Sequence, residues 1–121
     1  MSKFIIRVVK SGIKFDLRAG NGEIIAVSEA YSGHGACLRG IESVKKCAPM
    51  AAMEDQITAC EKEKCPKFEL YADRRGHFRF RLKATNGKII AVSEGYTTKA
   101  ACLAGVESVR KNAPTALIEE E

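Results

Sequence analysis

The stretch over residues 15–51, FDLRAGNGEIIAVSEAYSGHGACLRGIESVKKCAPMA, is written again over residues 80–116 as FRLKATNGKIIAVSEGYTTKAACLAGVESVRKNAPTA. Laid side by side without a gap, the two agree at roughly 23 of about 37 positions, far more than shared composition gives, so the chain is an internal duplication. Whatever one copy folds into, the other must fold into as well. At 121 residues the chain has the length of one ordinary domain. Each copy alone falls in the range where a single core supplies only a few kcal/mol, so the copies are expected to stabilise each other. The expected organisation is a single domain over residues 1–121, with a first repeat at 4–57, a connector at 58–66 and a second repeat at 67–120. It reads as a monomer that is an intramolecular pseudo-dimer.

Each copy opens with two alternating runs. Phe4, Ile6 and Val8 share one face against Ile5, Arg7 and Val9, and Phe68, Leu70 and Ala72 alternate with Glu69, Tyr71 and Asp73. After Gly12 and Gly76, Phe15 and Leu17 alternate with Lys14, Asp16 and Arg18, while Phe78, Phe80 and Leu82 alternate with Arg79, Arg81 and Lys83. The second copy carries one extra residue before Phe80, which predicts first hairpin turns that differ in length or contain a bulge. Asn21-Gly22 and Asn86-Gly87 signal tight type I′ hairpin turns. The third strands at 23–28 and 88–93, Ile-Ile-Ala-Val at heart, are apolar on both faces and read as central.

A helix then follows in each copy. Ser32 and Thr97 are N-cap candidates, with Thr98 competing in the second. The stripes Cys37, Gly40, Ile41, Val44 and Cys102, Gly105, Val106, Val109 have the spacing of one buried helical face. Glycine inside a helix costs about 1 kcal/mol against alanine, which predicts a close approach of helix backbone to sheet at Gly40 and Gly105. Ala48-Pro49 and Ala113-Pro114 end the helices. Residues 51–57 and 116–120 are long enough for a fourth strand, although propensity leaves the first undecided.

With 45% hydrophobic and 29% charged residues the chain has the mixture of an ordinary globular protein, and no run approaches the ~20 apolar residues of a membrane span. Met-Ser-Lys-Phe does not open a signal peptide, and the five cysteines are odd in number, so a cytoplasmic, reducing setting without a membrane partner is expected. The net charge of +5 favours either an anionic partner or plain solubility.

The repeated pattern NG, II-x-x-SE-x-Y, G-[IV]-ESV-[KR]-K and AP, at Asn21 to Pro49 and Asn86 to Pro114, resembles the YegP-like family of small bacterial tandem-repeat proteins. The resemblance implies an α+β fold: β-β-β-α-β repeats in tandem, one mostly antiparallel sheet, two helices on one face and C-terminal strands exchanged between repeats. That exchange would place 51–57 against the second copy and 116–120 against the first. The family is one of unknown function, so no site residues come with it. The glycine-rich Ser32-Gly33-His34-Gly35 helix start and the cysteine-bearing connector depart from the repeated pattern.

Chemistry is sparse. Glu29 and Glu94 recur two residues before Tyr31 and Tyr96, but His34 aligns with Lys99 and His77 lies in the length-changed turn, so no acid, base and nucleophile converge. An enzyme is not expected, nor is a cofactor or a metal site. Cys60 and Cys65 flank Glu-Lys-Glu-Lys and lack the C-x-x-C spacing of a redox or zinc motif; a reversible connector disulfide is the sharper reading of them. Arg79, Arg81 and Lys83 share one strand face, Lys14 and Arg18 hold the corresponding face of the first copy, and Tyr71 is available for stacking. Two functions result. The first is a non-catalytic interaction module binding a nucleic-acid or protein partner through this basic face; the alternative is a thiol-based redox or stress-responsive protein using Cys60 and Cys65.

Overall fold

The computed structural model describes residues 1–58 and 62–121. The elements are β1 (Lys3–Val9), β2 (Gly12–Arg18), β3 (Ile24–Val27), α1 (His34–Cys47), β4 (Ala52–Asp55), β5 (Lys67–Ala72), β6 (Phe78–Lys83), β7 (Ile89–Val92), α2 (Lys99–Asn112), a 3-10 turn at Ala113–Thr115 and β8 (Leu117–Glu120). All eight strands form one sheet in the order β4-β5-β6-β7-β3-β2-β1-β8. The pairings are antiparallel except the outermost two, β4 with β5 and β8 with β1. The fold is therefore α+β with a mostly antiparallel sheet and exchanged terminal strands, as the resemblance implies.

The exchange decides what propensity could not. Ala52 to Asp55 becomes a strand because β5 of the other copy supplies its ladder, with Ala52 opposite Lys67 and Asp55 opposite Leu70. Leu117 likewise pairs with Lys3 and Glu120 with Ile6. At the sheet centre β3 meets β7 with Val27 opposite Val92, equivalent positions of the two copies, so a pseudo-twofold axis passes between them.

The core lies between the sheet and the helices and draws on both copies without a break. Phe4, Phe15, Leu17, Ile41 and Val44 join Phe68, Leu70, Phe80, Leu82, Val106 and Val109 in one buried cluster. Phe4 stands edge-on to Phe15 at 5.6 Å and Phe68 to Phe80 at 5.9 Å, a favoured aromatic geometry.

Two local expectations are corrected and a third is sharpened. The Asn-Gly pairs are not the two central residues of a hairpin turn. Gly22 N–H bonds the Ala19 carbonyl at 2.9 Å, so Gly20 and Asn21 are central and Gly22, at φ 87°, follows in the left-handed region; residues 84–87 repeat this with Gly87 at φ 82°. Helix α1 is capped by the extended backbone of Gly33 and not by Ser32, whereas Thr98 takes the position in α2, accepting from Ala101 N–H at 3.1 Å. Finally, the helix glycines do lie close to the sheet, a Cβ there standing 3.2 Å from Phe15 Cε2 or 3.0 Å from Phe80 Cε2, but the tightest neighbour is a tyrosine. A Cβ on Gly40 would lie 2.7 Å from Tyr31 Cζ, and one on Gly105 2.9 Å from Tyr96 Cζ. Each tyrosine is stacked on a core phenylalanine, Phe15 at 6.2 Å and Phe80 at 6.3 Å.

The first hairpins do differ in length: β1 and β2 are joined by Lys10-Ser11, β5 and β6 by residues 73–77. Asp73 organises the longer turn, its Oδ1 accepting from Arg75 N–H at 2.9 Å and His77 N–H at 3.0 Å.

Candidate functional site

Both helices cover one side of the sheet, which leaves the other side open. Strand alternation sends Lys3, Ile5 and Arg7 of β1 and Lys14, Asp16 and Arg18 of β2 to that open face, where the ladder sets Lys3 opposite Arg18, Ile5 opposite Asp16 and Arg7 opposite Lys14. In the second copy the corresponding rows are Lys67 opposite Lys83, Glu69 opposite Arg81 and Tyr71 opposite Arg79. Each copy thus carries a six-residue patch with one carboxylate in its middle row.

Those carboxylates are fully covered. Asp16 has no exposed surface and Glu69 retains 2%. Arg7 Nη2 reaches Asp16 Oδ1 at 2.9 Å and Arg18 Nη2 reaches Oδ2 at 3.1 Å. Around Glu69, Arg81 Nε stands 2.5 Å from Oε1, and both Lys67 Nζ and Lys83 Nζ stand 3.2 Å from Oε2. Burial pushes the Glu69 carboxyl up, but hydrogen bonds from Arg81, Lys67 and Lys83 outweigh it and hold the group below its ordinary range. Lys67 also bridges to Glu54 of β4 at 2.8 Å.

Every basic residue expected on this face lies on it, though mostly in ion pairs. Arg79 Nε binds Asp73 Oδ2 at 2.8 Å, which lowers the Asp73 carboxyl and raises the guanidinium. Arg81 lies 4.6 Å from the centre of the Tyr71 ring, so the stacking surface already carries a cation. Arg18 has a second, longer partner in Glu121 at 3.7 Å. Lys14 stands apart: it faces Arg7 across the ladder and has no carboxylate within ion-pair distance among the described residues.

Sequence reading missed the buried anions and the three cations that complete the patches, Lys3, Arg7 and Lys67. Alternation tells which face a residue occupies; it does not tell how deeply longer neighbours cover it. The cross-ladder register, which sets like charges opposite one another, is the signal that a carboxylate must lie among them.

Other candidates come to rest elsewhere. Cys60 lies outside the described residues, while Cys65 is a half-buried free thiol. Cys37, Cys47 and Cys102 are buried and free. Burial raises the Cys37 thiol and pushes that of Cys102 up to about 11, which disfavours thiolate chemistry at these two. Glu29 and Glu94 are exposed beside structural serines: Ser28 Oγ accepts from Phe15 N–H and donates to the Glu29 carbonyl, and Ser93 repeats both bonds with Phe80 and Glu94. His34 Nε2 contacts Glu120 Oε1 at 2.6 Å. Among the described residues no group of three His, Cys, Asp or Glu could hold a metal ion, and no helix is long and apolar enough to cross a membrane.

The family described as "Domain of unknown function (DUF1508)" matches the sequence over residues 11–55 and 73–120. The chain belongs to the DUF1508 family. A UPF0339 protein of Pseudomonas aeruginosa is 36% identical over 121 residues, covering 99% of this chain and 97% of that one. A UPF0339 protein of Treponema denticola is 63% identical over 54 residues, 45% of this chain but 93% of its own length. The DUF1508 fold is seen again in the solution structure of YegP of E. coli, a protein of unknown function, at a TM-score of 0.82 and 28% identity, with 99% of this chain and 92% of that one covered. Membership in DUF1508 brings no assigned reaction or ligand, so a functional reading rests on the residues of this chain.

Proposed function

We propose that the chain is a non-catalytic interaction module that binds single-stranded nucleic acid across its open sheet face. The observation supporting this is the layering of charge there: carboxylates lie buried beneath, while the cations that cover them keep part of their surface in solvent. Asp16 is wholly covered, whereas Arg7 and Arg18 each expose 33% of the side chain. Positive charge is therefore presented outward from fixed positions, an arrangement suited to phosphates. In copy one Lys3 pairs with Glu119 and Arg18 also reaches Glu121, but among the described residues the Nε–H of Arg7 and of Arg18 lacks a partner and Lys14 has no carboxylate within ion-pair distance. Tyr71 offers an aromatic edge beside Arg79 and Arg81.

The test is fluorescence anisotropy with a labelled single-stranded oligonucleotide. Affinity is expected to fall steeply between about 50 and 200 mM salt, as counterion release requires. Lys14→Glu with Arg79→Gln, which leaves Asp16 and Glu69 paired, is expected to weaken binding about tenfold while circular dichroism stays native. Absent or salt-insensitive binding overturns the proposal.

A further inference from the structure

On either side of the pseudo-twofold axis, the Asn-Gly turn of one copy faces the strand-to-helix junction of the other. Gly22, Glu23, Ile24 and Ile25 stand across from Glu94, Gly95 and Tyr96 around a cleft of about 520 Å³. Asn86, Lys88, Ile89 and Ile90 stand across from Glu29 and Tyr31 around one of about 830 Å³, with α1 as an added wall. The letters that recur in both copies, NG, II and SE-x-Y, are thus the letters that frame two clefts. In each, the tyrosine ring packs over a helix glycine, and its hydroxyl has no hydrogen-bond partner among the described residues.

The rims differ in sign. The smaller cleft is bordered by Glu23 and Glu94 and, among the described residues, by no cation. In the larger, Lys88 occupies the position equivalent to Glu23, and Arg39 the position equivalent to Ala104 of the other helix. Neither Arg39 nor Lys88 has a carboxylate partner among the described residues, and both side chains are exposed. Lys83 also lines this cleft, but its ammonium is engaged by Glu69. Among the described residues Glu29 is the one carboxylate that lines the cleft against these cations.

We propose that the larger cleft binds a small organic anion, a carboxylate or phosphate monoester attached to an apolar group. Its charge meets Arg39 and Lys88, which suit an anionic oxygen through guanidinium and ammonium donors. The Tyr31 hydroxyl supplies a further donor, and the apolar group lies against Ile89, Ile90 and Ala84. The smaller cleft has the same tyrosine and isoleucines but an acidic rim, so it rejects this ligand and serves as an internal control.

The experiment is an NMR titration of the full-length, nitrogen-labelled chain with phenyl phosphate, benzoate and inorganic phosphate. The two organic anions are expected to move amides at 39–43 and 86–90 while those at 22–25 and 94–96 stay in place, and inorganic phosphate is expected to act more weakly. Arg39→Ala with Lys88→Glu gives the larger cleft the rim of the smaller and is expected to weaken phenyl phosphate binding about tenfold in an otherwise native spectrum. No shift at 39–43 and 86–90, shifts only on the open sheet face, equal shifts at both clefts, or undiminished binding by the variant overturns the proposal. Inorganic phosphate acting as strongly as phenyl phosphate overturns the role of the apolar floor.

Discussion

Beneath the helices the two copies are near replicas, with Phe4 edge-on to Phe15 as Phe68 is to Phe80, and Tyr31 over Gly40 as Tyr96 is over Gly105. On the open face the same ladder positions hold Ile5 opposite Asp16 in one copy and Glu69 opposite Arg81 in the other. The buried carboxylate has changed strands, from β2 to β5. Packing against a helix fixes volume and shape at each position separately, because the interior is close-packed. Charge compensation is instead a property of the whole patch, since any of several long cations can reach a carboxylate placed near its middle. The core face therefore kept its letters while the open face was free to exchange them.

Acidification probes this difference most broadly, because it acts on the carboxylates of copy two and of the strand docked on it. Hydrogen bonds from Lys67, Gln56 and Glu63 N–H hold the Glu54 carboxyl down to about 2, and Lys99 holds that of Asp55 well below its ordinary range. Glu69 and Asp73 are lowered as well. These groups bind protons more weakly folded than unfolded, so the unfolded chain gains protons first as pH falls. Their contribution is complete above the ordinary value of 4.5 for Glu54 and is lost on the way down to about 2. Hydrogen exchange at about pH 3 is expected to show β4, β5 and β6 losing protection relative to neutral pH. Full retention of β4 protection there would show that these ion pairs do not hold the exchanged strand.

Among single substitutions the largest expected effect is at the patch centre. Glu69→Ile copies Ile5 and leaves Lys67, Arg81 and Lys83 around a missing anion, at a cost of about 3 kcal/mol by urea denaturation. Adding Tyr71→Arg and Arg81→Asp rebuilds the copy-one arrangement and is expected to recover at least half of that loss. A triple variant no more stable than the single one would mean that the two patches are not interchangeable.

The replicated side should respond alike in both copies. A Cβ at Gly105 meets Tyr96 Cζ at 2.9 Å and Phe80 Cε2 at 3.0 Å, with the phenol oxygen closer still. Gly105→Ala and Gly40→Ala are each expected to cost a net 1–2 kcal/mol, roughly, after the gain in helix propensity is set against overpacking. Tyr96→Phe removes the nearest clashing atom and should restore part of the Gly105→Ala loss. An unchanged melting temperature in Gly105→Ala would remove the tyrosine explanation for these glycines.

Periodicity and punctuation made the fold readable at the level of elements, because each depends on residues close in sequence: alternation around Phe80, the helical stripe through Val44, the stop at Pro49. The fourth strands depended on partners more than ten residues away, and only the resemblance supplied them. The site was legible as a face but not as a network. Arg79, Arg81 and Lys83 fall where alternation puts them, yet nothing local indicates that Glu69 lies beneath two of them or that Glu54 arrives from the other copy. The clefts were invisible for the same reason, since each joins residues of both repeats across the pseudo-twofold axis.

The smallest effects concern how each exchanged strand is fastened. Lys99 at the start of α2 binds Asp55 of β4, with Nζ 2.5 Å from Oδ2, and His34 at the start of α1 contacts Glu120 of β8 at 2.6 Å; the two pairs occupy equivalent positions in the duplication. They differ in setting. Asp55 exposes 21% of its side chain and also accepts from Ile57 N–H and from the Thr58 hydroxyl, whereas Glu120 exposes 64% on a strand that is exposed along its length. Exposed pairs are screened by solvent and held by mobile side chains, so Asp55→Asn is expected to cost about 1 kcal/mol and Glu120→Gln about 0.3 kcal/mol. His34→Lys, which gives β8 the cation that β4 has, should stabilise the chain by no more than a few tenths, because the site stays exposed. Thermal melts of the three variants rank the two fastenings, and a Glu120→Gln loss equal to that of Asp55→Asn would show that burial is not what separates them.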